Sequence, residues 1–295
     1  MQVSARGVAI EVDDQGPPAA EPLLLIMGLG MQLVGWPDEL VQLLVSRGFR
    51  VIRVDNRDAG LSQSFDQFGV PSVAVAALRH MLRLPVTSPY SLRDMADDVL
   101  GVLDALGLQR VHVCGASMGG MIAQHLAAAH PQRVKSLTLM MTSSGARRLP
   151  QPRWEVRRAL MAQPRGRSAA DVAAHLQGIL ALIGSPAYPG DPARVRARVL
   201  ASVQRSYRPA GTARQLLAIA ADGDRSALLA RINAPTCVIH GQADPLVPVA
   251  CGHDLARRIA GAETDFVPGM GHDLPEQLLP RFADAMRDNA ARMAR

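Results

Sequence analysis

The sequence predicts an α/β fold in which a mostly parallel central sheet is flanked by helices and a helical cap is inserted after the sixth strand. Short β-type runs alternate with helical runs along most of the chain, as a parallel sheet requires. The alternation breaks once, between Thr142 and about Asp224, where helical segments follow one another. The 295 residues are 48% hydrophobic and 20% charged, which suffices for one large core and excludes fibrous and disordered classes.

The elements of the sheet layer follow from apolar runs of strand length separated by runs with helical spacing. Ser91 precedes one such helical run and is a plausible N-cap, because its side-chain oxygen can accept from the first free amides. Strands are predicted at Gly7–Val12, Pro22–Met27, Arg50–Val54, Arg110–Cys114, Val134–Met141, Pro235–His240 and Glu263–Val267. Helices are predicted at Asp38–Arg47, Leu92–Leu106, Met118–His130 and Pro275–Arg295.

The segment 143–224 differs from the rest of the chain in pattern and in charge. Between Ser144 and Asp222 it holds thirteen arginines and four acidic residues, whereas the whole chain carries a net charge of only +6. Helices inserted here in a parallel sheet lie over the strand ends, where ligands bind. We therefore predict a core of residues 1–142 and 225–295 and an arginine-rich helical cap of residues 143–224. The positive charge of the cap would attract anionic substrates or surfaces. The alternative interpretation is that these arginines simply lie on solvent-exposed faces of the cap helices. The cap helices are predicted near Pro152–Met161, Ala169–Ile183, Pro192–Tyr207 and Gly211–Ala221.

Composition argues against several classes of function and partner. Aromatic residues make up only 3% and no stacking motif is found, so nucleic-acid binding is disfavoured. No run reaches the ~18 apolar residues of a membrane-spanning helix, and no early apolar stretch resembles a secretory signal. The three cysteines, Cys114, Cys237 and Cys251, fit neither a disulfide framework nor a metal site. We therefore expect a cytoplasmic protein with buried thiols and no metal.

The main chemical signal is the pentapeptide Gly115-Ala-Ser117-Met-Gly119, which lies between a predicted strand and a predicted helix. In a G-x-S-x-G turn at this place the serine occupies a strained backbone conformation and projects above the sheet. The two glycines leave room for neighbouring backbone. The placement predicts Ser117 as a nucleophile, the alternative being a structural serine in a glycine-rich turn.

A serine nucleophile needs a base and an acid that orients the base. Of the eight histidines, only His272 lies in a glycine-containing loop directly after a late strand. Asp244 follows the preceding strand, which gives the chain order serine, acid, histidine. Asp265 and Asp273 are too close to His272 in sequence to be favoured. We therefore predict a triad of Ser117, Asp244 and His272.

The oxyanion hole of such an enzyme requires two backbone N–H groups aimed at the developing negative charge. One is expected from Met118, the residue after the nucleophile. The other is expected from the turn after the strand 22–27, where Leu29 is the first choice and Gly28 the second. Residues near these loops predict an apolar substrate pocket. Its expected lining residues are Leu29, Met31, Trp36, Met118, Trp154 and Val247.

Taken together, these motifs resemble those of serine hydrolases with the α/β-hydrolase fold, of the esterase and lipase type. The matching segments are MGLG, DNRDAGLS, GASMGG, GQADPLVP and GMGHDLP. The most similar branch is that of aclacinomycin methylesterase-like carboxylesterases, which share the Met-Gly oxyanion segment, the following Gly-Trp-Pro and an Asn-Arg-Asp turn. The resemblance implies the same triad that the residues predict.

The chain departs from the commoner family pattern at two places. Met27 stands where many relatives have histidine, and Asp58 stands where many have the glycine of Asp-x-Arg-Gly. Neither change removes a catalytic group. We expect Asp55 and Arg57, in the second of these motifs, to tie loops together by a salt bridge.

The predicted function is hydrolysis of small-molecule carboxylic esters through an acyl-enzyme on Ser117, with no cofactor. Lactonase, thioesterase and cofactor-free perhydrolase activities use the same triad and are alternatives. A serine nucleophile argues against the dehalogenases and epoxide hydrolases of this fold, which use aspartate. A non-catalytic ligand receptor is the alternative from another class, and the intact triad argues against it. The sequence assigns no oligomeric state.

Overall fold

One central sheet forms the middle layer of the protein. The computed structural model describes residues 1–82 and 84–294. Within them the strands lie in the order β1-β2-β4-β3-β5-β6-β7-β8, with β2 antiparallel to both neighbours and the other pairs parallel. The strands are β1 (Gln2–Ala5), β2 (Val8–Gln15), β3 (Glu21–Ile26), β4 (Phe49–Val54), β5 (Val111–Ala116), β6 (Val134–Met140), β7 (Thr236–Gly241) and β8 (Glu263–Val267).

Helices cover both faces of this sheet and the carboxyl ends of its strands. Among the described residues, none of them is long and apolar enough to cross a membrane. The helices are α1 (Asp38–Ser46), α2 (Val73–Met81), α3 (Leu92–Ala105), α4 (Met118–Ala129), α5 (Trp154–Met161), α6 (Ala169–Ile183), α7 (Pro192–Arg205), α8 (Pro209–Asp222), α9 (Ser226–Leu229), α10 (Ala250–Arg258) and α11 (Leu279–Ala291).

The predicted fold class is confirmed, and all the predicted strands are present with small shifts at their ends. The N-cap prediction is also confirmed, since Ser91 and Asp94 form a reciprocal capping box at the start of α3. The sequence did not reveal β1, because its four residues have little apolar character and it lies at the sheet edge. The last residue of the predicted terminal helix, Arg295, lies outside the described residues.

Two apolar layers hold the sheet between the helices. Alternate side chains of a strand point to opposite faces, and β3 shows this directly. Leu24 and Ile26 pack in the layer with α3 and α4, whereas Leu23 and Leu25 pack in the layer with α1 and α11. The three cysteines are also buried and unpaired, in agreement with the expectation of buried thiols.

The helices that follow β6 are not packed as one unit. Helices α6 and α7 share a small separate cluster built on Val172, Ala173 and Val203. Helix α8 instead contributes Ala218 to the main core beside the sheet. The division into a core and a cap of residues 143–224 stays a prediction, and this packing favours treating α8 as attached to the core.

The loop after β4 joins α7 and α8 to the sheet through buried ion pairs. Asp55 and Arg57 do not pair with each other as expected, because each finds a partner on a different helix. Asp55 Oδ2 accepts from Arg205 of α7 at 2.8 Å, and Arg57 Nε donates to Asp98 of α3 at 2.6 Å. In a third pair, Arg214 of α8 donates to Asp58 at 2.7 Å. The exposed fraction of each of these two side chains is 1% or less.

Replacing Arg214 with methionine is expected to lower the free energy of unfolding by about 3–5 kcal/mol, because it leaves the Asp58 carboxylate buried without its cation. Arg194→Met is the matched control. Arg194 pairs with Glu39 and Glu276 on the surface at 56% exposure, so its loss should cost less than about 1 kcal/mol. Urea denaturation of both variants measures the difference, and equal losses would contradict this account of α8.

Candidate active site

The serine of the G-x-S-x-G turn has the strained backbone that the pattern predicts. Ser117 has φ 54° and ψ −119°, and such a conformation costs a non-glycine residue on the order of 1–3 kcal/mol. Neighbouring residues hold it in place. Its N–H donates to Met140 O at 2.9 Å, and its C=O accepts from Thr142 Oγ1 at 2.7 Å. The side chain is partly exposed at the carboxyl end of β5.

The two glycines of the motif are required by close backbone contacts. A Cβ on Gly119 would lie 2.1 Å from Ile26 O, and one on Gly115 would lie 2.3 Å from Gly119 O. Helix α4 therefore begins in direct contact with the ends of β3 and β5. This contact places the turn that contains Ser117 next to the loop after β3.

The predicted base and acid are hydrogen-bonded to each other. His272 Nδ1 lies 2.7 Å from Asp244 Oδ2, and both side chains are buried. Since an ionised carboxylate can only accept, Nδ1 carries the proton and Nε2 is left to act as the base. The other oxygen, Asp244 Oδ1, accepts from the N–H groups of Leu246 and Val247 at 2.9 and 2.8 Å. These bonds fix the direction in which the acid points.

Within residues 1–82 and 84–294, Ser117 Oγ and His272 form no hydrogen bond with each other. The carbonyl of Ser117 accepts from Thr142, and His272 bonds to Asp244. Such bonds often tighten only when substrate binds. The triad roles of Ser117, His272 and Asp244 therefore stay predictions, supported by the serine turn and by the base–acid pair.

A second histidine, His240, lies next to Asp244, although it belongs to none of the sequence motifs of the predicted triad. His240 is fully buried, and its Nε2 donates to Val247 O at 2.7 Å and lies 3.6 Å from Asp244 Oδ2. Burial lowers the pKa of His240, so the ring is neutral and holds the 244–247 loop without adding charge. Its position in the strand β7 was the only signal in the sequence.

The loop that carries His272 rests on the end of α6. His272 N–H donates to Ile183 O at 2.7 Å, and Gly271 N–H donates to Ser185 Oγ at 2.8 Å. Asp273 accepts from the same serine side chain, and burial raises the pKa of its carboxyl. Asp273 is thus committed to Ser185, which agrees with the choice of Asp244 as the acid.

The turn after β3, predicted to supply one amide of the oxyanion hole, lies beside Ser117. A Cβ built on Gly28 would be 3.1 Å from Ser117 Cβ and 3.6 Å from its Oγ. Neither Leu29 N–H nor Met118 N–H donates to a protein acceptor within residues 1–82 and 84–294, whereas Gly30 N–H donates to Gln215 Oε1 at 2.8 Å. The assignment of Leu29 and Met118 as donors stays a prediction that these contacts support.

The residues predicted for the substrate pocket do not share one environment. Trp36 has no exposed surface and packs against α1 in the layer below the sheet, so the structure assigns it to the core instead of a pocket. Trp154 is 67% exposed and lines an open groove of about 530 Å³ between α5 and α6. Met31 is exposed, and Val247 is half-buried beside Asp244. Their roles in substrate binding stay predictions.

Sequence reasoning missed the polar residues that hold the catalytic loops. Gln215, Ser185 and Asn56 support the turn after β3 or the His272 loop, and Asn56 Nδ2 donates to Met27 O at 2.9 Å. Their contacts reach across many residues of chain and follow no local pattern. Only Asn56 lay within a motif that the sequence singled out.

In the described part of the chain, no three His, Cys, Asp or Glu side chains lie close enough together to hold a metal ion.

The fold, the serine turn and the His272–Asp244 pair define a hydrolase of the serine type. A family model described as alpha/beta hydrolase fold matches residues 21–277. Because that match covers most of the chain, the protein belongs to the α/β-hydrolase fold family, as the motifs predicted.

Individual relatives include named esterases. Rhodomycin D methylesterase DauP of Streptomyces sp. (strain C5) is 31% identical, with 88% of this chain and 87% of the relative covered. The pimeloyl-[acyl-carrier protein] methyl ester esterase of Chromobacterium violaceum is 33% identical over 65% of this chain and 76% of its own length. The enol-lactonase of Burkholderia xenovorans LB400 has a TM-score of 0.71 and 25% identity, with 100% of this chain and 99% of that chain covered. These relatives confirm the prediction of an ester-hydrolase-type enzyme.

Replacing Gly28 with alanine is expected to lower ester hydrolysis about tenfold or more, because the new methyl group would crowd Ser117. Gly178→Ala in α6 is the control, since nothing lies within 4 Å of a Cβ added there. Initial rates with p-nitrophenyl acetate and thermal midpoints are compared for both variants. An unchanged rate for Gly28→Ala would show that the loop after β3 lies away from the reacting atoms.

Proposed function

We propose that this protein hydrolyses carboxylic esters of small molecules through an acyl-enzyme on Ser117. The observation that carries the proposal is the bond between His272 Nδ1 and Asp244 Oδ2, formed at the carboxyl edge of the same sheet where Ser117 occupies a strained turn. That arrangement leaves an unprotonated imidazole nitrogen to activate a hydroxyl. A receptor without turnover would need neither the backbone strain nor the oriented base.

The first half-reaction forms the acyl-enzyme. His272 Nε2 takes the proton of Ser117 as its oxygen attacks the ester carbonyl, and Asp244 stabilises the imidazolium. The N–H groups of Met118 and Leu29 donate to the tetrahedral oxyanion. Loss of one such donor typically costs ~3 kcal/mol, or about a hundredfold in rate. His272 then protonates the departing alcohol.

The second half-reaction releases the acid. Water enters in place of the alcohol and loses a proton to His272 as it attacks the acyl carbonyl. The same two amides stabilise the second oxyanion, and Ser117 regains its proton from His272. Every proton in this cycle is carried by the chain or by water.

Methyl esters of larger carboxylic acids are the substrate class that we favour. Two of the relatives described above are named as methylesterases, one for rhodomycin D and one for a carrier-protein-bound acid. A methyl ester releases a small alcohol, so recognition falls on the acid portion. The exposed apolar side chains predicted for the substrate pocket, Met31 and Trp154, would suit a large apolar acid portion.

A lactonase is the second candidate function, and the likeness to an enol-lactonase along the whole chain favours it. Lactone opening uses the same attack by Ser117 and the same oxyanion donors. The two candidates differ in the leaving group, because the alcohol of a lactone stays attached to the acyl-enzyme. A comparison of substrates therefore separates them.

We also propose a cytoplasmic location and the boundaries 1–142, 143–224 and 225–295 for core and cap. The location is supported by three cysteines that are buried and unpaired, as in proteins of reducing compartments. The separate cluster of α6 and α7 supports this division for those two helices, whereas α8 packs in the main core. The expected partner is the small-molecule ester itself.

Ser117→Ala is expected to reduce hydrolysis of p-nitrophenyl esters by at least about a thousandfold, because no other group can form the acyl-enzyme. The measurement uses the acetate-to-decanoate series together with a methyl ester and a γ-lactone of one aromatic acid. A preference for the methyl ester supports the esterase, and a preference for the lactone supports the second candidate. Wild type that neither turns over any ester nor reacts with a fluorophosphonate would overturn both.

Cap arginines are expected to favour esters with an anionic group. Arg153, Arg157 and Arg158 are exposed and form no ion pair within the described residues, unlike Arg205 and Arg214. Changing the first three together to glutamine should lower the rate ratio of an anionic to a neutral ester about threefold or more at low salt. The control is Arg231→Gln, an exposed arginine of the core. An unchanged ratio would contradict a role for these arginines in substrate attraction.

A further inference from the structure

Gln215 of α8 is a buried side chain that contacts the loop next to the nucleophile. It has no exposed surface. Its Oε1 accepts from Gly30 N–H at 2.8 Å, and its Nε2 donates to Arg57 O at 2.7 Å. Both partners are backbone groups of the core, so one cap side chain joins the loop after β3 to the loop after β4.

The orientation of this amide is fixed by its partners. An N–H group can only donate and a carbonyl can only accept, so turning the amide over would set like groups against each other at both ends. The side chain is also fully buried, and a lost partner would leave a buried polar group unsatisfied. Gln215 therefore holds Gly30 and Arg57 in one relative position.

The bond to Gly30 fixes a tight turn at the predicted oxyanion hole. Gly30 has φ +66°, and Met31 N–H donates to Gly28 O at 3.2 Å across the turn. Thr212, one turn before Gln215 on α8, lies against Gly30, where a Cβ would be 2.7 Å from Thr212 Oγ1. With Gly30 N–H engaged by Gln215 and Met31 N–H by Gly28 O, the N–H groups of Leu29 and Gly28 are left without a protein acceptor among the described residues.

Helix α8 is itself firmly attached to the core. Arg214, next to Gln215, forms the buried pair with Asp58, and a Cβ on Gly211 would lie 2.2 Å from Asp58 O. Helix α8 therefore cannot shift along the loop after β4 without breaking the ion pair between Arg214 and Asp58. Gln215 is therefore presented to the loop after β3 from a rigid support.

We propose that Gln215 is a positioning residue for the oxyanion hole, holding the turn 28–31 so that Leu29 N–H faces the developing negative charge. The proposal rests on the proposed function. It assigns to a cap helix a part in transition-state stabilisation, and Gln215 itself does not touch substrate. Its loss should act on kcat more than on KM, because an oxyanion exists only after attack.

Gln215→Leu removes both bonds and should lower kcat for p-nitrophenyl acetate on the order of tenfold, with KM changed less than about threefold. The rate constant for labelling Ser117 with a fluorophosphonate should fall in parallel, since that reaction also develops negative charge on oxygen. The control is Asn289→Leu, which removes a buried amide that donates to Leu137 O at 2.9 Å in the opposite layer. It should lower stability without lowering kcat.

Gln215→Glu provides a second readout that does not depend on the first variant folding. A protonated glutamic acid has the hydrogen-bonding pattern of glutamine, accepting from Gly30 N–H and donating to Arg57 O. Burial raises the pKa of such a carboxyl, and the charged side chains of the packed elements, Arg57 with Asp98 and Arg214 with Asp58, are already paired. The ratio of variant to wild-type kcat should therefore be highest at low pH and fall as pH rises.

The proposal is overturned if Gln215→Leu keeps kcat within twofold of wild type. It is also overturned if Asn289→Leu loses as much kcat at equal stability, or if Gln215→Glu keeps wild-type kcat at pH values where its carboxyl is shown to be ionised. Failure of the proposed function looks different, because wild type would then neither hydrolyse esters nor be labelled at Ser117.

Discussion

The close approach of α4 to β3 is the constraint on which the site depends. Gly119 lies so near Ile26 O that any side chain there would overlap the backbone. The chain must therefore leave β5 and enter α4 through a turn too tight for an ordinary conformation, and Ser117 takes up the strain. The same contact places the first amide of α4, that of Met118, beside the turn after β3. One packing contact thus sets the positions of both the proposed nucleophile and the proposed oxyanion donors.

The proposed triad residues could be selected from the sequence because each lies in a short motif at the end of a strand. Ser117, Asp244 and His272 follow three different strands of one sheet, and parallel strands bring such ends together. The side chains that hold them could not be predicted. Gln215 meets Gly30 across 185 residues of chain, and Ser185 meets Gly271 across 86. No local pattern records contacts of that kind.

Proximity in sequence also misled the prediction of the pocket. Trp36 lies only a few residues after the loop that carries Leu29, yet the chain turns below the sheet there and buries the indole among apolar side chains. The arginine-rich cap shows a related effect. Arg205 and Arg214 point inward and neutralise the buried acids Asp55 and Asp58. Part of the cap charge is therefore structural, and the rest lies on exposed arginines such as Arg157 and Arg158 of α5 and Arg194 and Arg198 of α7.

The packing of α8 in the main core bears on how new specificities can be built on this scaffold. A chimaera that exchanged the whole of 143–224 for the cap of a relative would discard Gly211, Arg214 and Gln215 together, and with them the contacts that the loops after β3 and β4 require. A crossover placed between α7 and α8 keeps those contacts native. The transplanted part must then reproduce the contacts that α6 and α7 make with the core, such as the carbonyl of Ile183 that receives the His272 amide and the Arg205 side chain that pairs with Asp55. A crossover before Pro209 is therefore the junction that the structure favours. It lies one helix earlier than residue 224, where the charge and pattern of the sequence place the end of the cap.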